Sequence, residues 1–262
     1  MLALDGPCPR PQPGLLDGTP LVALGILAVA WAAAGLTLSE PITRVAGLAA
    51  AHGALLGTAV AWARPGKWAD WAPLEAALVL AAAAAGARLH PWGAVTYAIV
   101  PVWLAWRRGS WRLRVSWRTV LPVAAGAMFG LGLGAHLLMN AALTFGHGVR
   151  TGPPEDLAAW WAYDLGANVL AAEVFFRGAL FERAYCWWSF STATAIATSA
   201  TLARYLADPL LPHSLGIAAG AVFYIALLGT GNCWLVARTG SVAPALAAAS
   251  VFFGAYRLLG SR

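Results

Sequence analysis

Long apolar stretches broken by short polar ones dominate the chain. Runs of mostly apolar residues fall near 21–38, 45–63, 71–87, 92–106, 119–141, 159–181, 187–206, 214–237 and 242–258. A membrane-crossing helix needs about 20 such residues, within a range of about 17 to 25. The third, fourth and ninth runs are short, so the pattern predicts eight or nine spans. The runs are continuous and alanine-rich, without the alternation of a membrane barrel, and in lipid only helices or closed barrels satisfy the backbone. The predicted fold class is therefore all-α, a polytopic transmembrane helical bundle. No fixed-period repeat is visible. The expected organisation is an N-terminal tail over 1–20, transmembrane helices over 21–118, and a second helical domain over 119–262.

Composition supports this reading. Of 262 residues, 60% are hydrophobic and 11% charged, and the mean hydropathy is +0.67. Soluble domains carry about 25% charged residues. The net charge of +6 is almost all arginine, Lys67 being the sole lysine, which points to a GC-rich genome more than to a partner. Arg107, Arg108, Arg112, Arg114 and Arg118 cluster between two runs. A short basic loop beside spans is a cytoplasmic topology signal, so no nucleic acid is expected. Counting spans outward from this loop puts Arg257 with the loop charges of the opposite side.

Cys8, Cys186 and Cys233 are odd in number and widely spaced, implying neither a disulfide framework nor a zinc site. No metal or cofactor is expected. The first twenty residues, with Asp5, Asp17 and several prolines, do not read as a signal peptide. Tryptophans sit near run ends, as interfacial rings do. Gly126, Gly130 and Gly134 form a ladder of spacing four, as do Gly216 and Gly220. Such ladders let helices approach closely, here more readily within one bundle than across a dimer.

Ionisable residues inside apolar runs cost about 2.5 to 3.5 kcal/mol each on insertion scales and so need a partner or a purpose. Glu173 and Arg177, at i and i+4, can pair on one helix face. Asp164, Asn168 and Ala172 form a second stripe of the same helix, about 140° to 180° away at 100° per residue. His52 and His136 lie alone in alanine- and glycine-rich runs and read as hydrogen-bonded packing elements. Glu75 lies close enough to the end of its run to reach water.

The string E-V-F-F-R-G from Glu173 resembles the first motif, E-E-x-x-x-R, of the CAAX-protease and bacteriocin-processing family of glutamic intramembrane proteases (CPBP, also called Abi). Downstream, R-T-G-S-V-A-P from Arg238 is similar to that family's third region. The resemblance covers roughly 119–258 and implies a bundle enclosing a water-filled cavity within the membrane. There a glutamate acts as general base on water with a histidine, while a second histidine and an asparagine stabilise the oxyanion. Carried over, the motif's second glutamate and its arginine match Glu173 and Arg177, a supporting pair. The base falls on Ala172. The phenylalanine and histidine of F-x-x-x-H fall on Leu202 and Leu206, give or take one position. The second histidine falls on Ala249 and the asparagine on Phe253.

All four reactive positions are thus apolar, and losing one oxyanion donor alone can cost about 2.7 to 4 kcal/mol of barrier. The reading is a non-catalytic or divergent member that binds membrane-inserted or lipidated peptide segments. The expected setting is the lipid bilayer of a cell membrane, multi-pass, of the bacterial inner-membrane kind. The alternative is an active peptidase with relocated groups, Asp164 and His213 as a dyad, although an Asp164–Arg204 ion pair is the more ordinary expectation. A small transporter is the third reading. It lacks paired broken helices and a charged row.

Overall fold

A computed structural model describes residues 120–150, 153, 157, 161, 164–206 and 215–259. The four runs before residue 119 lie outside the described residues, so the count of eight or nine spans lies outside them too. Every regular element among the described residues is helical. Helix α1 covers Val120–Phe145. Two stretches of wide π-type turns follow, Asp164–Ala171 and Val174–Phe181, leading into the short α2, Glu182–Trp187. The bundle continues with α3 (Phe190–Leu206), α4 (Leu215–Thr239) and α5 (Ala243–Arg257). Each element except α2, which falls between the runs 159–181 and 187–206, lies within a few residues of the apolar run that predicts it.

Local chemistry sets the breaks. Trp188 is extended at the end of α2, and the Ser189 hydroxyl then accepts the Thr192 N–H at 3.2 Å, capping the start of α3. Between α4 and α5 lies the R-T-G-S motif. Gly240 takes φ +63°, which a side chain resists, and returns its N–H to the Val236 carbonyl at 2.8 Å. The Thr239 hydroxyl receives the Ser241 N–H at 3.2 Å, and the Ser241 hydroxyl receives that of Ala243, also at 3.2 Å. Pro244 then occupies the first turn of α5, where its missing N–H is harmless. In this chain the motif works as a helix stop, a turn and a helix start.

The tightest helix pair is α1 with α5. A Cβ on Gly126 would overlap the Pro244 carbonyl, and one on Gly130 the Ala248 carbonyl. The first glycine ladder thus packs within the bundle. Gly220 of the second faces open space. The far ends of α1 and α5 are joined where Arg150 N–H donates to the Leu258 carbonyl at 2.8 Å. Helix α5 is central, burying Pro244, Ala245, Ala248, Ala249, Phe252 and Phe253.

Among the described residues, two stretches are long and apolar enough to cross a bilayer, Val120–Thr144 and Ala219–Thr239. Core helices of soluble proteins can pass the same length test, but they are mostly buried. The first stretch is only 17% buried. Leu121 and Leu143 are 79% and 82% exposed, and Met128, Phe223 and Trp234 also face outward. Such an apolar belt suits lipid. At 15 residues, α5 reaches only about 22 Å, short of the roughly 30 Å hydrocarbon layer.

Candidate functional site

Two buried polar clusters are built on the helical stretch 164–181, and they face different neighbours. The first is built on Glu173 and Arg177, with Arg177 Nε 3.3 Å from Glu173 Oε2. Glu173 falls between the two π-type stretches, Arg177 in the second, and both are buried. Arg177 Nη1 donates to the Thr201 hydroxyl of α3 at 2.7 Å, which in turn donates to the Ala197 carbonyl at 2.8 Å. Gly229 of α4 makes room for the guanidinium, since a Cβ there would stand 2.6 Å from Nη2. Asn232, also on α4, faces the Glu173 carboxylate and donates to the Ala245 carbonyl of α5 at 3.4 Å. One ion pair thereby connects its own helix to α3 and α4, and through Asn232 to α5.

The cluster is not saturated. Glu173 Oε2, Arg177 Nε, Thr194 Oγ1, Thr198 Oγ1 and Asn232 Oδ1 are buried without a hydrogen-bond partner, the Glu173–Arg177 approach being an ion pair of poor hydrogen-bond direction. Such groups usually gather ordered water or mark a functional region.

The second cluster centres on Asp164, which is fully buried. Its carboxylate accepts Asn168 Nδ2 at 2.7 Å, Arg257 Nη2 at 2.9 Å and also Arg257 Nε. Arg204 Nη1 donates to Asn168 Oδ1. The ion-pair partner of Asp164 is therefore Arg257 from α5, in place of the expected Arg204, which reaches the carboxylate's neighbour. Arg257 follows Ala249 and Phe253 at spacings of eight and four, so it shares the buried face of α5. That spacing was the available signal, and placing Arg257 with the loop charges concealed it.

The sequence-derived reactive positions are divided between two apolar clusters. Ala172 packs with Phe175 and Phe176. Ala249 and Phe253 belong to another cluster, with Tyr205 and Tyr224, and Leu202 packs against it. Leu206 ends α3. Tyr205, within the one-position latitude of the F-x-x-x-H histidine, is buried with its ring centroid 6.3 Å from that of Phe253. It is the one polar side chain among the described residues at a reactive position, adjoining Leu206, on which the motif's histidine falls. The stripe expected to run Asp164, Asn168, Ala172 holds for its first two members, while Ala172 sits among phenylalanines. Its phase was reckoned at 100° per residue, and the π-type turns from Asp164 onward depart from that value. His213 lies outside the described residues.

An open cleft of about 250 Å³ lies beside the second cluster, lined by Leu157, Trp161, Gly254, Arg257 and Leu258.

One family model matches the chain, that of Rce1-like proteins, type II CAAX prenyl endopeptidases, over residues 154–255. The match takes in the first cluster, Asp164, Asn168 and Arg204 of the second, and the R-T-G-S turn, ends two residues before Arg257, and agrees with the family that the motifs resemble. No curated protein and no solved structure matches the chain.

Proposed function

We propose that this membrane protein, whose residues 154–255 match the family model of Rce1-like type II CAAX prenyl endopeptidases, keeps the framework of that family without its chemistry. It binds membrane-inserted or lipidated peptide segments and leaves them uncleaved. The observation that carries this reading is the state of the carboxylates. Hydrolysis needs a base able to take a proton from water and donors for the oxyanion. Glu173 is held against Arg177 and Asn232 inside the helix packing. Asp164 is committed to Arg257 and Asn168, which argues against its service as a relocated base. Ala172, Ala249 and Phe253 offer no proton and no donor, and they are buried in apolar clusters.

The supporting pair remains because removing it is costly. A buried ion pair that loses one member leaves an uncompensated charge in low dielectric, so a lineage can lose its base and donors while keeping the brace. Residues 119–262 form the CPBP-like unit in this reading.

The test is binding and cleavage measured on one sample. The purified full chain in lipid nanodiscs is mixed with a farnesylated C-terminal Cys-a-a-X peptide, and bound and cleaved fractions are followed together. Saturable binding without release of the tripeptide is expected. Steady release that is abolished by Asp164→Ala would overturn the non-catalytic reading and favour the relocated site.

A further inference from the structure

The orphaned polar atoms of the first cluster gather at one place, at the depth of the membrane's middle. Glu173 Oε2, Arg177 Nε, Asn232 Oδ1 and the Thr194 and Thr198 hydroxyls are all buried without a hydrogen-bond partner in the protein. Glu173 and Asn232 are 2% and 0% exposed, and Thr194 and Thr198 are 7% and 8% exposed. Arg177 Nε lies 3.3 Å from Glu173 Oε2, and Asn232 faces the same carboxylate. Cys233, the next residue of α4, faces Arg177, Glu173 and Thr194. A Cβ on Gly229 would stand 2.6 Å from Arg177 Nη2 and 3.2 Å from the Thr198 hydroxyl, so these two groups border one space. Gly229 is the midpoint of the apolar stretch Ala219–Thr239, and Asn232 lies about 4.5 Å further along the helix.

The two threonines forgo an ordinary way out. A helical hydroxyl can return to the carbonyl four residues back, as Thr201 does to Ala197 and Thr239 to Leu235. Thr194 and Thr198 make no such bond, although Phe190 and Thr194 stand four residues before them in α3.

The unmet demands also select the ligand. Glu173 Oε2 and Asn232 Oδ1 only accept, Arg177 Nε only donates, and the hydroxyls do either. A cation would be repelled by the guanidinium and could not serve Nε, and an anion would be repelled by the carboxylate. A small neutral molecule that gives two hydrogens and receives two meets both demands, and water is that molecule. Left unmet, each atom would carry the penalty of a lost hydrogen bond, and five together would rival the whole stability of a domain. We propose that Glu173, Arg177, Asn232, Thr194 and Thr198 form a binding site for internal water, shared by the 164–181 stretch, α3 and α4. The site is enclosed, because its atoms are inaccessible and Cys233 also belongs to the apolar cluster of Phe181, Ala193, Ala197 and Val236. It goes beyond the peptide binding proposed above, which neither needs nor supplies this water.

Radiolytic hydroxyl labelling of the full chain in nanodiscs tests this. An X-ray pulse splits bound water where it sits, and Cys233 is the adjoining reactive side chain. Labelled sites are read by peptide mass spectrometry and normalised to the rates of the free amino acids. Cys233 is expected to label at least ten-fold faster than Phe252 and Phe253, which are buried in α5. Labelling no faster than theirs would overturn the proposal on the wild-type chain alone. Asn232→Leu with Thr198→Val removes two partners of the water and should cut Cys233 labelling at least five-fold, with Phe252 unchanged. Undiminished Cys233 labelling beside an unchanged Phe252 would also overturn it. A charged methanethiosulfonate should leave Cys233 unmodified in the same nanodiscs. Modification would mean that bulk water enters, and the enclosed site would be refuted.

Discussion

Replacing Arg177 by Met while leaving Glu173 in place would be the most damaging single change to the first cluster. The pair is buried on both sides, at 1% and 3% side-chain exposure. Solvent therefore offers little relief, unlike at surface pairs worth 0–1 kcal/mol. Removing Arg177 leaves a carboxylate facing only Asn232 and strips the Thr201 hydroxyl of its donor. Breaking a buried pair in this way costs about 3 to 5 kcal/mol. Glu173→Gln leaves the guanidinium with Thr201 and belongs at the lower end of the same range. The double variant removes both charges, and its cost should fall below that of Arg177→Met alone, giving a coupling energy of about 2 to 3 kcal/mol. The assay is denaturant unfolding of the full chain in mixed micelles, comparing wild type, both single variants and the double. Additive costs would refute the reasoning, because they would mean that neither charge depends on the other.

Three further outcomes follow from the packing and the second cluster. Gly130→Ala should destabilise the protein by about 1 to 3 kcal/mol, since its methyl would overlap the Ala248 carbonyl. Gly132→Ala and Gly220→Ala, with nothing near either Cβ, should be neutral or stabilising by up to about 1 kcal/mol in the same unfolding assay. Asp164→Ala should cost about 3 to 5 kcal/mol by removing the buried carboxylate to which Arg257 and Asn168 donate, and Arg257→Leu in that background should recover part of the loss. Ala172→Glu should yield no peptide hydrolysis and a less stable protein, because the new carboxylate would stand among Phe175 and Phe176 without an oxyanion donor beside it.

Much of this architecture is legible in the residues, for identifiable reasons. The runs that became α1, α3, α4 and α5 are continuous and apolar, and those of α1 and α4 reach membrane length. Glu173 and Arg177 could be paired by spacing alone, because a four-residue separation puts two side chains on one helix face. The ladder Gly126, Gly130, Gly134 foretold the close approach of α1 and α5. His136 proved to be hydrogen-bonded, as a lone histidine in an apolar helix should be.

What was not legible depended on the path of the backbone. The π-type turns around Ala172 and Glu173 leave no mark in hydrophobic periodicity, yet they govern which way Ala172 and Asp164 face. Arg257 looked like a terminal charge until α5 was seen to bring its Ala249–Phe253 face against the Asp164 helix. The separation of Ala172 from Ala249 and Phe253 is likewise a matter of tertiary placement, and no pattern in the chain announces it.

The most direct check of the central claim is mass spectrometry of a farnesylated Cys-a-a-X peptide held with the nanodisc-embedded full chain, set beside a Glu173→Ala, Asp164→Ala double variant as blank. The account predicts intact peptide, bound by the wild-type chain, with tripeptide release no faster than in the blank. Release above the blank, proportional to protein and exceeding one turnover per chain, would contradict it.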